Sequence, residues 1–167
     1  MTRVASILFF AVVAAQVVGL VAFAGVREVA LTEGREIILQ TAPVDPRSLF
    51  QGDYAILDYE IAQVPPWLSG QPAGANVYVI LAECGDVWCA SRHTRSKPES
   101  SDVYIRGVIN ADGRLDFGIG TYFVPEGTGH IIERAQDVKV IVSLDDRGQA
   151  VIKSVLVDGF PFNPDGN

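Results

Sequence analysis

An uncharged segment near the start of the chain constrains its architecture more than any other feature. The 23 residues from Val4 to Val26 contain no Asp, Glu, Lys or Arg, and Gln16 is their only strongly polar member. A helix of this length would extend about 35 Å, enough to cross a hydrocarbon core of about 30 Å. We therefore predict a transmembrane anchor over residues 1–28, with residues 4–26 in the lipid bilayer, and a separate domain over residues 29–167.

The charges that flank this segment indicate its orientation. Arg3 and the α-amine precede it, whereas Arg27 after it is followed at once by Glu28. This positive bias favours an N-terminus inside and a domain outside. We therefore expect a single-pass protein of the inner (cytoplasmic) membrane with its domain in the periplasm or another extracytoplasmic space. The alternative is a signal peptide cleaved after the A-x-A sequence at residues 22–24, although the apolar segment exceeds the usual core of about 7–15 residues.

Two cysteines also bear on which side of the membrane the domain occupies. Cys84 and Cys89 stand in the sequence CGDVWC, where Gly85 and Asp86 can turn the chain and bring the thiols together. In an oxidising compartment this arrangement predicts a disulfide. Free thiols and a metal site built on Cys84, Cys89 and His93 are the competing interpretations, but structural zinc needs a fourth ligand from elsewhere in the chain.

The net charge argues against several partners. The chain carries 13 Lys and Arg against 20 Asp and Glu, a net charge of −7, and the acidic excess lies after the uncharged segment. An acidic surface repels phosphate backbones and anionic headgroups, so nucleic-acid binding is not expected. The three lysines, Lys97, Lys139 and Lys153, are scattered and form no basic patch.

The rest of the chain is typical of a mainly β protein. β-branched and aromatic runs alternate with turn signals, and helical periodicity is weak after the first segment. We predict an antiparallel β sandwich or barrel-like domain of about eight strands, with a polar loop over residues 91–101 and a short helix after residue 125. The predicted strands are 36–41, 53–61, 76–82, 103–109, 115–119, 121–124, 138–144 and 150–157.

The second of these strands alternates clearly between apolar and acidic residues. One face is predicted to lie in the core and the other in water, because successive side chains of a strand point to opposite sides. The predicted core face consists of Ala55, Leu57, Tyr59 and Ile61, and the wet face includes Asp58 and Glu60. The nearly continuous apolar run at 76–82 predicts instead a central strand.

The same strand carries a motif that resembles a known family. Residues 52–59 read Gly-Asp-Tyr-Ala-Ile-Leu-Asp-Tyr, a complete G-D-Y-x-x-L-x-Y motif, and the chain resembles the bacterial membrane-anchored family named for it. The preceding residues 43–47 and the later stretch 121–133 also resemble segments shared by that family. The resemblance covers nearly the whole chain. It implies an anchored extracytoplasmic domain, often encoded beside a multipass membrane protein, and no established activity.

The motif admits a structural and a functional interpretation. Structurally, Gly52 would supply a positive φ at the strand entrance and Leu57 would fill the core. Functionally, polar side chains of the shared segments would converge with tyrosines of the motif on a binding surface; these residues are Asp45, Arg47, Asp53, Tyr54, Tyr59 and Glu126. Because a partly buried guanidinium needs a carboxylate, we predict that Arg47 and Glu126 belong to one site.

No complete catalytic constellation is visible. The spacing from Pro46 to Gly52 is similar to a run in membrane signal peptidases, but it is one residue too long and no nucleophilic serine precedes it closely. Lys139 lacks a nucleophile partner in sequence, His93 falls in the predicted polar loop, and His130 begins the predicted short helix. No Gly-x-Ser-x-Gly elbow or phosphate-binding loop is present, and we expect neither a metal nor a cofactor.

Three functions follow in order of preference. The first is an accessory or interaction protein that partners a multipass membrane protein. The second is a module that binds or senses a small ligand or an envelope component. The third is a hydrolase related to signal-peptidase-like folds.

Overall fold

Part of the N-terminal apolar segment forms a helix, and the described part of the remainder is built mainly from strands. The computed structural model describes residues 7–21, 34–42, 54–125, 128, 131–132 and 135–163. Residues 7–21 are helical, and the side chains of all fifteen are exposed. Within the described ranges, no helix combines the length and the apolar character needed to cross a membrane.

The described part of the domain contains ten strands, all paired in antiparallel fashion. The prediction of a mainly β, antiparallel domain is therefore confirmed. The strands are β1 (Arg35–Gln40), β2 (Tyr54–Ile56), β3 (Asn76–Cys84), β4 (Val87–Thr94), β5 (Tyr104–Ile109), β6 (Leu115–Asp116), β7 (Thr121–Phe123), β8 (Val138–Leu144), β9 (Ala150–Val157) and β10 (Phe160–Pro161).

The strands form two four-stranded sheets and a two-stranded ribbon. The first sheet has the order β1-β8-β9-β10, the second has the order β4-β3-β5-β6, and β2 pairs with β7 in the ribbon. The predicted central strand, β3, indeed lies between β4 and β5. A main-chain bond from the Arg106 amide to the Gly148 carbonyl (2.7 Å) ties the β8–β9 turn to β5 and so links the two larger sheets.

The two larger sheets bury their apolar side chains in one core. Alternate residues of β1, β3 and β8 point into it, as strand geometry requires, and each removes apolar surface from water. Fully buried members include Ile37, Leu39, Val77, Val79, Ile105, Val140, Val142 and Val155. A smaller cluster of Ala55, Val124 and Ile132 lies under the ribbon.

The alternating strand predicted at 53–61 is shorter in the structure. Its described part is a strand only to Ile56, followed by an isolated bridge from Tyr59 to Thr41 and a 3-10 helix over Glu60–Ala62. The four residues of the predicted core face are all buried, although Ala55 lies in the smaller cluster and the others in the main core. The predicted burial of these four residues is therefore correct, although the chain pairs with β7 only as far as Ile56 and then bridges to Thr41, directly after β1.

The polar loop predicted at 91–101 is wrong over its first part, because residues 91–94 complete β4. β4 returns from β3 through a two-residue turn in which Gly85 has φ +71°, the left-handed conformation that glycine accommodates without strain. Of the short helix predicted after residue 125, the described residues 131–132 are helical and the rest lies outside the described residues.

Candidate functional site

The first half of the motif forms one strand of the ribbon. Tyr54 lies opposite Phe123 and Ile56 lies opposite Thr121, so these four side chains share the outward face. The Tyr54 and Phe123 rings meet edge to face with centroids 6.3 Å apart. Phe123 is 77% exposed and Ile56 is 36% exposed. The outward face of the ribbon is thus a small apolar surface in contact with solvent.

The inward face of the ribbon holds it against the domain. Ala55 is fully buried and packs with Val124 and Ile132. Tyr122, on the same side, meets the Phe162 ring edge to face at 6.2 Å. A two-stranded ribbon is marginal alone in water, so this packing is what fixes the position of the outward face.

The second half of the motif turns into the core. Tyr59 is only 3% exposed, and its hydroxyl donates a 2.8 Å hydrogen bond to the Ile119 carbonyl. Its ring packs edge to face against Phe117 at 6.4 Å. Burial raises the pKa of the Tyr59 hydroxyl above its usual range, because the phenolate would lose its hydration. The geometry therefore gives Tyr59 a packing role within the domain.

Asp58 connects the motif to a neighbouring turn. Its carboxylate accepts a 2.7 Å bond from Arg114, which also donates to the Tyr59 carbonyl at 3.4 Å. The Asp58 carbonyl accepts from the Ala42 amide at 3.0 Å, and the Leu57 amide donates to the Gly120 carbonyl at 2.9 Å. The buried Leu57 and its neighbours thus join β1, the ribbon and the β6–β7 connection, which is a structural role for this half of the motif.

Most of the predicted polar site lies outside the described residues. These residues are Asp45, Arg47, Asp53 and Glu126; Gly52 and His130 also lie outside the described residues. The pairing of Arg47 with Glu126 therefore stays a prediction. β2 begins directly after Asp53, β7 ends shortly before Glu126, and the antiparallel register sets these two strand ends opposite each other.

Lys139 is held as a cation. Its ammonium group lies 2.6 Å from Asp86 and 3.1 Å from Asp137, and Gln40 donates a further bond to Asp137 at 2.9 Å. The hydrogen bond to Asp86, and after it the bond to Asp137, raise the pKa of Lys139. A lysine base of a peptidase must be neutral, so this residue is unsuited to that role.

The two cysteines lie at the hairpin whose turn Lys139 contacts. Cys84 and Cys89 are at disulfide-bonding distance, with Cα atoms 5.9 Å apart, in the normal range for the bond. The predicted disulfide is therefore supported by the structure, and neither cysteine is free. The covalent link and the ion pair together fix the turn between β3 and β4.

Sequence reasoning missed the position of His93. The residue belongs to β4 and lies opposite the buried Val79, and its Nε2 atom is buried with no hydrogen-bond partner among the described residues. Burial lowers the pKa of His93, an effect partly offset by a hydrogen bond to the main chain of Gln63. The available signal was the cysteine-bounded turn, because a hairpin requires a return strand after Cys89.

Comparison with known proteins places the chain in a family. A search of curated proteins and a search of solved structures each found no match. A family model described as GDYXXLXY protein matches residues 16–155, which is most of the 167-residue chain. The chain therefore belongs to the GDYXXLXY family.

Proposed function

We propose that this chain is a membrane-anchored extracytoplasmic accessory protein whose domain contacts a multipass membrane protein. The observation that carries the proposal is the helix at residues 7–21, in which every residue except Gln16 is apolar or glycine and every side chain is exposed. A helix that is apolar on all sides is stable only when lipid or protein covers it. The uncharged sequence, from Val4 to Val26, extends beyond these fifteen described residues at both ends.

The paired cysteines support an extracytoplasmic position for the domain. Disulfides persist in oxidising compartments and are rare in the cytosol. The Cα atoms of Cys84 and Cys89 are close enough for a disulfide, and the positive bias before the helix favours the same orientation.

The outward face of the ribbon is the surface we assign to the partner. Exposed aromatic and branched apolar side chains are the usual centres of protein interfaces, and Phe123 with Ile56 supplies such a centre on a rigidly packed support. The acidic character of the chain argues against anionic lipid as the occupant of this face. A membrane protein that presents an apolar or basic outer surface would be complementary to it.

Alkaline carbonate extraction of native membranes tests the anchor. The full-length protein should stay with the membranes, whereas a variant with Val13→Lys and Val17→Lys should be released, since each lysine at the helix centre costs about 3 kcal/mol for insertion. A mature protein whose N-terminal sequence begins at Gly25 would contradict the anchor.

Affinity purification in mild detergent tests the partner. Phe123→Ser should abolish recovery of a multipass membrane protein, while Trp67→Ser, which removes a comparably exposed aromatic residue (58%) outside the ribbon, should leave it intact. Equal recovery with both variants would show that the ribbon is not the contact surface.

A further inference from the structure

A groove crosses the outer side of the second sheet. β4 and β5 both pair antiparallel to β3, on its two sides, so the chain between them must cross β3. Ile80 of β3 and the crossing segment, together with the end of β4, enclose an open groove of about 460 Å³. This volume falls within the range of about 300–1,000 Å³ in which small-molecule sites are found.

Four charged side chains of both signs border this groove. Arg92 and Lys97 contribute positive charge, and Glu99 and Asp102 contribute negative charge. In the described part of the chain none of the four belongs to an ion pair, although three other basic side chains of the same domain each have a carboxylate partner within 4 Å. The charges of the groove are therefore available to an incoming molecule.

We propose that this groove binds a small zwitterion that carries an ammonium group and one anionic group, either a carboxylate or a phosphate monoester. The anionic group would lie against Arg92 and Lys97, and the ammonium group against Glu99 and Asp102. A simple anion would meet two carboxylates, and a simple cation would meet two basic side chains, so both are disfavoured by like-charge repulsion.

Calorimetric titration of the full chain in mild detergent tests the proposal. The probes are glycylglycine, which carries a carboxylate, and phosphoethanolamine, which carries a phosphate; acetate, inorganic phosphate and ethylamine are the singly functional controls. At least one zwitterion should bind saturably, about tenfold more tightly than any control, and the tighter of the two identifies the anionic group. Absence of saturable binding up to about 20 mM of either zwitterion, a concentration that populates complexes of millimolar Kd, would overturn the proposal.

Two charge-removing variants locate the site. Arg92→Gln with Lys97→Gln, and separately Glu99→Gln with Asp102→Asn, should each weaken zwitterion binding about tenfold or more, since each removes charge-assisted hydrogen bonds. Lys153→Gln, outside the groove, is the control and should bind as the wild type does. Unchanged binding in a charge-removing variant that melts at the wild-type temperature would also overturn the proposal. The groove is separate from the ribbon, so that result would leave the proposed partner surface untouched.

Discussion

Replacing Tyr59 by phenylalanine removes one hydroxyl from the core and leaves the ring in place. The hydroxyl donates to the Ile119 carbonyl, and the residue is 3% exposed, so water cannot replace the bond. A neutral hydrogen bond contributes about 1 kcal/mol, and the carbonyl left without a partner adds to the loss, for a total of about 1.5 kcal/mol at neutral pH. For a domain of this size we expect the melting temperature to fall by about 5 °C.

The same substitution should have the opposite effect at alkaline pH. Burial raises the pKa of Tyr59 in the folded protein, whereas in the unfolded chain a tyrosine ionises near pH 10. Above about pH 10 the unfolded state therefore binds fewer protons, and the wild type loses about 1.4 kcal/mol per pH unit through this residue alone. Near pH 11.5 that loss is about 2 kcal/mol, so Tyr59→Phe should be as stable as the wild type or slightly more stable.

The measurement is urea unfolding of both proteins, followed by tryptophan fluorescence, at several pH values from about 7 to 11.5. The difference in unfolding free energy between the two proteins cancels the titration of all other groups. A difference that stays constant across this range would refute the assignment of Tyr59 as a buried, hydrogen-bonded phenol.

Three further sets of substitutions test other features. Cys84→Ser with Cys89→Ser should lower the free energy of unfolding by about 2 kcal/mol, which is the loop entropy for a separation of five residues. A reductant should lower the melting temperature of the wild type to that of the variant and should leave the variant unchanged. Gly148→Ala should lower the free energy of unfolding by about 3 kcal/mol, because Gly148 has φ +73° and the added Cβ would lie 2.5 Å from the Tyr104 ring. The control is Gly113→Ala, where φ is +74° and the space around the added Cβ is open, and it should lower the free energy of unfolding by about 1 kcal/mol. Asp158→Ala should lower the free energy of unfolding by about 2 kcal/mol, because the Oδ1 atom accepts two main-chain N–H bonds and the residue has φ +50°. Asp158→Asn, which keeps an oxygen acceptor, should change it by no more than about 0.5 kcal/mol. For the glycine pair and for the Asp158 pair alike, melting curves with equal losses in both variants would contradict the argument.

The strands predicted with the correct bounds are those specified by local signals. β8 and β9 were predicted at 138–144 and 150–157 and occur there, because two β-branched runs flank a turn whose Asp145 side chain accepts main-chain N–H bonds. The burial of Leu57 and Tyr59 followed from alternation alone. In each case, a few adjacent residues carry the information.

The end of β4 and the site residues next to it could not be predicted in this way. β4 lies at the edge of its sheet, where polar and charged side chains are tolerated, so Arg92 and His93 read as loop. Alternation predicts that Tyr59 is buried, but it does not identify the hydrogen-bond partner of its hydroxyl, the Ile119 carbonyl, which is sixty residues away. The contact between Lys139 and Asp86, 53 residues apart, likewise has no local signature.

The position of β1 in its sheet has a consequence for synthesis. β1 pairs with β8, with Arg35 opposite Leu144, so about a hundred residues separate the two strands in sequence. At about 5–20 residues per second, β1 waits roughly 5–20 s for its partner to be made. During that interval its apolar residues and unpaired main-chain groups remain open to other chains. The second sheet closes within residues 76–116 and can form earlier, so it is available to cover the apolar face of β1 before β8 emerges.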